Sequence, residues 1–264
     1  MKDDRLKVDH LISLNDELYW KLISDTAHQM KVRQHPTIFI HGFNTTFEQA
    51  VLRSAQIGFD LGIGQGISLF SWPSKGRKLS YTADETTAEA SKYLLADFIE
   101  NYVINCPKEK INIIAHSMGC RCLIGALEVL SNGRKSILSK LNQVIMAAAD
   151  IDSSVMPNQS RTAAKNCKRI TSYVSGLDTA LKISGWIHSY PRVGITPPTF
   201  VLEGIDTILV NDLDLGDFSH GYIASSRTIL TDIFSLLKSN TPPQDRHAIE
   251  AVSNDGLNFW RIRN

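Results

Sequence analysis

The stretch Ile111-Asn112-Ile113-Ile114-Ala115-His116-Ser117-Met118-Gly119-Cys120 constrains this chain more than any other. A short apolar run of strand length stops at a serine, and an apolar helical segment begins directly after it. Ala115 and Gly119 flank the serine two residues away on either side. A serine held in a sharp strand-to-helix turn brings neighbouring backbones close, so bulky side chains at those two positions would clash. The turn also puts the serine at a helix N-terminus, where unpaired N–H groups favour developing negative charge. The pattern is G-x-S-x-G with alanine in the first glycine position.

The rest of the chain falls into register around it. Residues 11–34 carry Leu11, Leu14, Leu18, Leu22 and Ile23 at helical spacing and read as a helical lead-in, closed by His35-Pro36. Thr37-Ile38-Phe39-Ile40 reads as a buried strand ending in His41-Gly42-Phe43-Asn44, and Thr45 or Thr46 caps the helix after it, with Phe47, Ala50, Val51 and Ala55 on one face. A second strand, residues 67–72, ends at Pro73. A long helix over residues 84–104 comes next, with Ala88, Tyr93, Leu94, Phe98 and Val103 inward. After the serine come a helix from Met118 to Leu130 and three more apolar strands, at 144–149, 170–174 and 207–210. A last helix spans residues 222–238. Fully apolar strands alternating with helices imply a mostly parallel α/β sheet of about six strands, covered on both faces. The expected organisation is a lead-in (1–34), one α/β domain (35–240) and a tail (241–264) that packs back through Phe259, Trp260 and Ile262.

Composition narrows the chemistry. A chain of 264 residues with 28 basic against 27 acidic side chains has a formal net charge of +1. Nothing in that balance steers it to nucleic acid or acidic lipid. The charged opening residues lack the apolar core of a signal peptide, and no segment approaches the roughly 20 apolar residues of a membrane span. The four cysteines, Cys106, Cys120, Cys122 and Cys167, read as free buried thiols of a reducing compartment, so the expected location is cytoplasmic. No paired cysteines, and no two histidines with a carboxylate, stand at ligand spacing; neither a metal nor another cofactor is expected.

In such sheets ligands bind beyond the carboxyl ends of the strands, and those ends carry His41 to Asn44, Trp72, Ser117, Asp150, Asp178 and His220. A serine hydroxyl needs a base to take its proton. His220 comes after the last strand and is favoured among the eight histidines; His41 belongs to the loop after the first strand and braces it. An aspartate behind the imidazole would fix its tautomer. Asp178, after the fifth strand, is the first choice; Asp150 and Asp152, after the fourth, and Asp206 remain as alternatives that replace or assist it. The backbone N–H groups of Met118 and Phe43 would form an oxyanion hole. His41, Asn44, Trp72 and Trp186 are candidate pocket residues, and Tyr81 and Asp84 stand where they can overhang the site, although a helix cap explains Asp84 equally well. His116 is expected to pack locally, and His188 to lie at the surface.

The set His41-Gly42-Phe43-Asn44, Ala115-His116-Ser117-Met118-Gly119, Ala149-Asp150-Ile151-Asp152, Tyr173-Val174-Ser175 with Asp178-Thr179-Ala180-Leu181, and the late His220 resembles a bacterial branch of the α/β-hydrolase superfamily catalogued as a domain of unknown function. The likeness covers residues 35–238. It implies the superfamily fold and a serine hydrolase triad on Ser117, Asp178 and His220, and no particular substrate. Cys120 departs from the polar residue common there. The superfamily's first two strands have no match in residues 1–34, so the sheet is expected to be shortened at that edge. The leading expectation is cleavage of a small-molecule carboxylic ester or thioester through an acyl-enzyme. Acyl transfer by the same triad and a non-catalytic binding protein on the same fold are the alternatives.

Overall fold

In a computed structural model, residues 7–29, 35–63, 66–176, 190–210, 227–254 and 256–263 are described. The sheet they build has eight strands in the order β2-β1-β3-β4-β5-β6-β8-β7. These are β1 Thr37–Ile40, β2 Ile67–Phe70, β3 Ile111–His116, β4 Leu141–Ala147, β5 Arg169–Val174, β6 Ile205–Leu209, β7 Ile249–Asn254 and β8 Leu257–Ile262. Every pairing is parallel except that of β7 with β8. Neighbouring side chains on a strand point to opposite faces. Ile111, Ile113 and Ala115 of β3 therefore join one apolar cluster while Ile114 joins the other, and Met146 and Ile145 of β4 divide in the same way.

The first cluster is closed by α1 Asp16–Gln29, α3 Tyr81–Ala90, α4 Lys92–Asn105, α5 Met118–Gly133 and α7 Met156–Asn166, and the second by α2 Phe47–Asp60 and α8 Arg227–Ser239. A single-turn α6, Lys135–Leu138, joins α5 to β4. Helices on both faces of a mostly parallel sheet make the α/β-hydrolase architecture expected from the sequence. The sheet is larger than the six strands expected. The tail turns back as the β7–β8 hairpin and lays β8 beside β6, pairing Ile208 with Trp260 and Leu209 with Arg261. Arg246, buried in the segment that leads to β7, reaches Asp232 of α8 at 2.9 Å, and the Tyr173 hydroxyl of β5 donates to the same carboxylate at 2.5 Å.

Three helix faces differ from the sequence reading. In α1 the leucine stripe faces outward: Leu18 and Leu22 are 53% and 55% exposed. The inward face carries Trp20, packed at 5.5 Å on Phe98 and 5.8 Å on Tyr102. In α2, capped by a Thr46–Gln49 capping box, Phe47 is exposed and Ala50, Ser54 and Ile57 are buried. The long helix is two helices broken at Ser91. The hydroxyls of Thr86, Thr87 and Ser91 donate to the carbonyls four residues back, a competition with the backbone ladder that bends helices. The break re-aims α4, so Tyr93 and Leu94 face outward and Leu95, Ala96, Ile99 and Tyr102 fill the core.

Candidate active site

Ser117 sits between the last residue of β3 and the first of α5 at φ 50°, ψ −122°. A side chain at positive φ costs of order 1–3 kcal/mol and persists only where its surroundings hold it. Here the end of β4, the residues just after it and the first turn of α5 do the holding. The Ser117 N–H donates to the Ala147 carbonyl at 2.9 Å, and the Ser117 carbonyl accepts from Asp150 N–H at 3.2 Å and Cys120 N–H at 3.0 Å. The half-buried side chain stands at the sheet's carboxyl end.

The two small neighbours have the purpose their spacing suggests. Ala115 is wholly buried among the core side chains. A Cβ on Gly119 would lie 3.0 Å from the Ile40 carbonyl oxygen and closer still to that of His41. One on Gly42 would lie 2.7 Å from His116 Nδ1 and 3.1 Å from Ser117 Cβ. The loop after β1 therefore lies directly on the first turn of α5, with Phe43 next in chain. The Met118 N–H, at the first position of α5, has no acceptor within its own helix.

That loop is braced from behind. The His41 and Trp72 rings stack at 5.0 Å, and the indole N–H donates to the His41 carbonyl at 2.7 Å. His41 Nδ1 lies 2.9 Å from the Gly42 carbonyl and Nε2 3.1 Å from the Ser71 hydroxyl. Nε2 also lies 3.1 Å from the Trp72 carbonyl, so a neutral ring donates to one of the two carbonyls at a time: from Nδ1 to Gly42, with Nε2 accepting from Ser71, or from Nε2 to Trp72. Burial pulls its pKa below the ordinary histidine value, against the hydrogen-bonding carbonyls of Gly42 and Trp72 and the Asp84 charge. His41 is thus a neutral brace, and Trp72, 1% exposed, is a prop behind the loop rather than a pocket wall. Asn44, at φ 54°, remains half-buried at the loop's tip. His116 is driven down to about 4 by burial, then by the Arg53 charge and His41.

Asp84 is neither overhang nor helix cap. Wholly buried, it accepts from the Ser74 hydroxyl at 2.6 Å and the Lys75 N–H at 2.8 Å, and Ser74 in turn accepts from Thr45 N–H at 3.3 Å. The loops after β1 and β2 are thereby one unit. The Tyr81 ring meets Phe43 edge-on at 5.3 Å, and its hydroxyl donates to Asp150 at 2.6 Å.

The alternative aspartates are engaged elsewhere. Asp150, 2% exposed, lies between Tyr81 and Arg192, whose Nε is 3.3 Å away. Asp152 accepts from the N–H and hydroxyl of Ser154 at 2.8 and 2.7 Å, a local turn. Asp206 pairs with Arg169 at 2.5 Å where β6 begins, at the end of the sheet opposite to Ser117. Asp178, His220, Trp186 and His188 lie outside the described residues.

One contributor escapes the sequence reading altogether. Residues 191–196 form a strap across the ends of β4 and β5. Val193 and Gly194 N–H donate to Ile151 and Ala149 carbonyls, each at 2.9 Å, and Ser175 N–H donates to Gly194 carbonyl at 3.0 Å. Gly194 sits flat against Ala148, whose Cα would be 2.8 Å from any added Cβ. The strap delivers Arg192, 1% exposed, to Asp150. Its one sequence signal is a lone cation in the run Tyr190-Pro191-Arg192-Val193-Gly194-Ile195. Among the described residues no group of three or more His, Cys, Asp or Glu gathers as metal ligands, and no helix is long and apolar enough to cross a membrane.

The sequence model of a family described as alpha/beta hydrolase of unknown function (DUF900) matches residues 22–238. The uncharacterized protein alr1448 of Nostoc is 43% identical over 63 residues, which are 24% of this chain and 16% of that relative's length. Among solved structures, a predicted CIB-like hydrolase from Thermoplasma acidophilum is similar at 14% identity and TM-score 0.41, covering 79% of this chain and 89% of that one. The mature lipase BlEst2 of Bacillus licheniformis is similar at 13% identity and TM-score 0.39, covering 81% and 91%.

Proposed function

This chain belongs to that alpha/beta hydrolase family, and from that premise we propose that it is a serine hydrolase acting on a carboxylic ester or thioester of a small molecule. The observation that carries the reading is Ser117 at positive φ between β3 and α5, with the Gly42–Phe43 loop pressed against it. A strained, half-buried serine on a rigid turn is what a nucleophile requires.

The mechanism uses His220 as base. It takes the Ser117 hydroxyl proton as Oγ attacks the substrate carbonyl carbon. Asp178 holds the imidazole in the tautomer that can accept that proton and stabilises the cation formed. The carbonyl oxygen becomes an oxyanion facing the N–H groups of Met118 and Phe43, each such donor contributing a factor of about 10²–10³ in turnover. Collapse of the adduct breaks the ester bond, and His220 returns its proton to the departing alcohol or thiol. Water, deprotonated by the same histidine, then cleaves the acyl-enzyme and restores the Ser117 hydroxyl. Support for Asp178 is indirect: Asp150, Asp152 and Asp206 each hold other partners.

The test is labelling by a fluorophosphonate, wild type beside Ser117→Ala and His220→Ala, then turnover of activated esters and thioesters of graded chain length. Labelling and turnover confined to the wild type are expected, with losses of several orders of magnitude in either variant. A folded wild type that neither labels nor turns over any ester sinks the reading.

A further inference from the structure

We infer that Tyr81 and Asp150 are positioning residues that lock the two halves of the oxyanion hole to each other, with Arg192 as their anchor. The inference rests on the serine-hydrolase reading and deepens it. The two N–H donors come from separate pieces of chain, the loop after β1 and the first residue of α5. Nothing covalent near the site fixes their separation, and a donor displaced by 1 Å can cost about 10²-fold in rate.

Asp150 touches both halves. Its backbone N–H donates to the carbonyl of Ser117 at 3.2 Å, so its place decides where the elbow sits. Its carboxylate accepts from the Tyr81 hydroxyl at 2.6 Å, and the Tyr81 ring lies edge-on against Phe43 at 5.3 Å. One path thus runs from Phe43 through the Tyr81 ring and hydroxyl to Asp150, and on through its backbone to Ser117. On the other side Arg192 Nε stands 3.3 Å from the second carboxylate oxygen. Arg121, on the first turns of α5, donates from Nε to the Asp150 carbonyl at 3.4 Å, and its Nη1 is paired with Glu85 and Glu89 of α3.

Burial makes this more than incidental contact. Asp150 is 2% and Arg192 1% exposed, and a buried ion pair is weak evidence for stability because desolvation consumes most of its Coulombic gain. Arg192 Nε and Nη2 make no hydrogen bond among the described residues, so the guanidinium holds the Asp150 carboxylate by charge, as a buried ion pair at 3.3 Å, rather than by a directed hydrogen bond. An arginine carried in on a strap and enclosed with a single described carboxylate partner fixes a geometry.

The role differs from that of the triad acid and can be separated from it. Tyr81→Phe removes one hydroxyl and leaves the ring against Phe43; Asp150→Asn keeps shape and volume. In both, kcat for an activated ester should fall about 10- to 100-fold with KM within about two-fold, a split that a merely structural role does not produce. A trifluoromethyl ketone that mimics the tetrahedral adduct should lose affinity by the same factor as kcat/KM. Thermal unfolding of each variant establishes that it is folded. Equal wild-type and Tyr81→Phe values of kcat, with unchanged inhibitor affinity, overturn the inference. So does an Asp150→Asn loss as deep as that of Ser117→Ala, which would make Asp150 the triad acid. If the wild type itself fails to label or turn over, the hydrolase reading has failed and not the tether alone.

Discussion

Three glycines of α5 allow one substitution to be read in three environments. Gly119, Gly125 and Gly133 lie on the same helix, and alanine gains helical propensity at each, up to about 1 kcal/mol within the helix. At Gly119 the added methyl would sit 3.0 Å from Ile40 Cγ2 and the Ile40 carbonyl oxygen, and nearer still to the His41 carbonyl. Two of those three are backbone atoms in or beside a central strand and cannot rotate away, so β1 or α5 must shift. Overpacking of that kind costs about 1–3 kcal/mol or more and cancels the propensity gain. At Gly125 the methyl meets Lys92 Cδ at 2.9 Å and Cβ at 3.1 Å, mostly the yielding part of a flexible side chain. At Gly133 nothing lies within 4 Å.

The order of stability is therefore Gly133→Ala at or slightly above wild type, Gly125→Ala near wild type, and Gly119→Ala lower by about 1–3 kcal/mol. Urea unfolding with an unchanged m-value measures it. Ester turnover separates the sites further, because only the Gly119 methyl displaces the loop carrying the Phe43 N–H. An about 10²-fold loss in kcat is expected there, and none at Gly133. A Gly119→Ala protein as stable and as active as Gly133→Ala would refute the close approach of β1 to α5, and with it the reason for a glycine at that position.

Buried charge leads to two further outcomes. His116 has a folded pKa of about 4 against about 6.5 unfolded, so both states are neutral above pH 6.5 and only the unfolded chain gains a proton below it. Its contribution to stability is unaffected above that pH and falls by about 3 kcal/mol down to pH 4, at about 1.4 kcal/mol per unit. Urea titrations over that range should show a shallower fall in His116→Gln, and equal slopes would disprove the partly buried, neutral imidazole. Asp232→Ala strips the buried Arg246 of its 2.9 Å partner and should cost about 3–5 kcal/mol, whereas adding Arg246→Met should recover part of the loss; a double variant no better than the single would disprove the pairing.

Local chemistry is legible in the sequence. The β1 and β3 strands, the turn at Ser117 and the caps around Thr46 need only runs of apolar residues, small neighbours and a capping pair. These keep their meaning in any fold that forms them. Helix faces are legible only while the helix stays straight. Thr86, Thr87 and Ser91 each look like an ordinary polar position, and their joint back-bonding turns Leu95 inward and Leu94 outward. The tail can be seen to pack through Phe259 and Ile262, but a strand's partner is a tertiary fact. β8 is a strand because β6 offers it an open edge.

The same distinction explains the site. Residues at strand ends announce themselves, since a strand must stop and the residue after it must face the ligand side. Residues that hold a site together from behind carry no such mark. Asp150 stands at a strand end and invites an acid role on that ground, yet its partners Tyr81 and Arg192 are 69 and 42 positions away in the chain. Only the fold brings the three together. The strap also answers why an arginine can be buried there at all. Its backbone is hydrogen-bonded to Ala149, Ile151 and Ser175, so residues 191–196 are fixed before Arg192 contributes anything, and the guanidinium arrives at Asp150 without a further loss of backbone freedom. A side chain delivered on a pre-ordered segment loses little entropy in holding its partner, which is the condition for a buried pair to set geometry rather than merely cost stability.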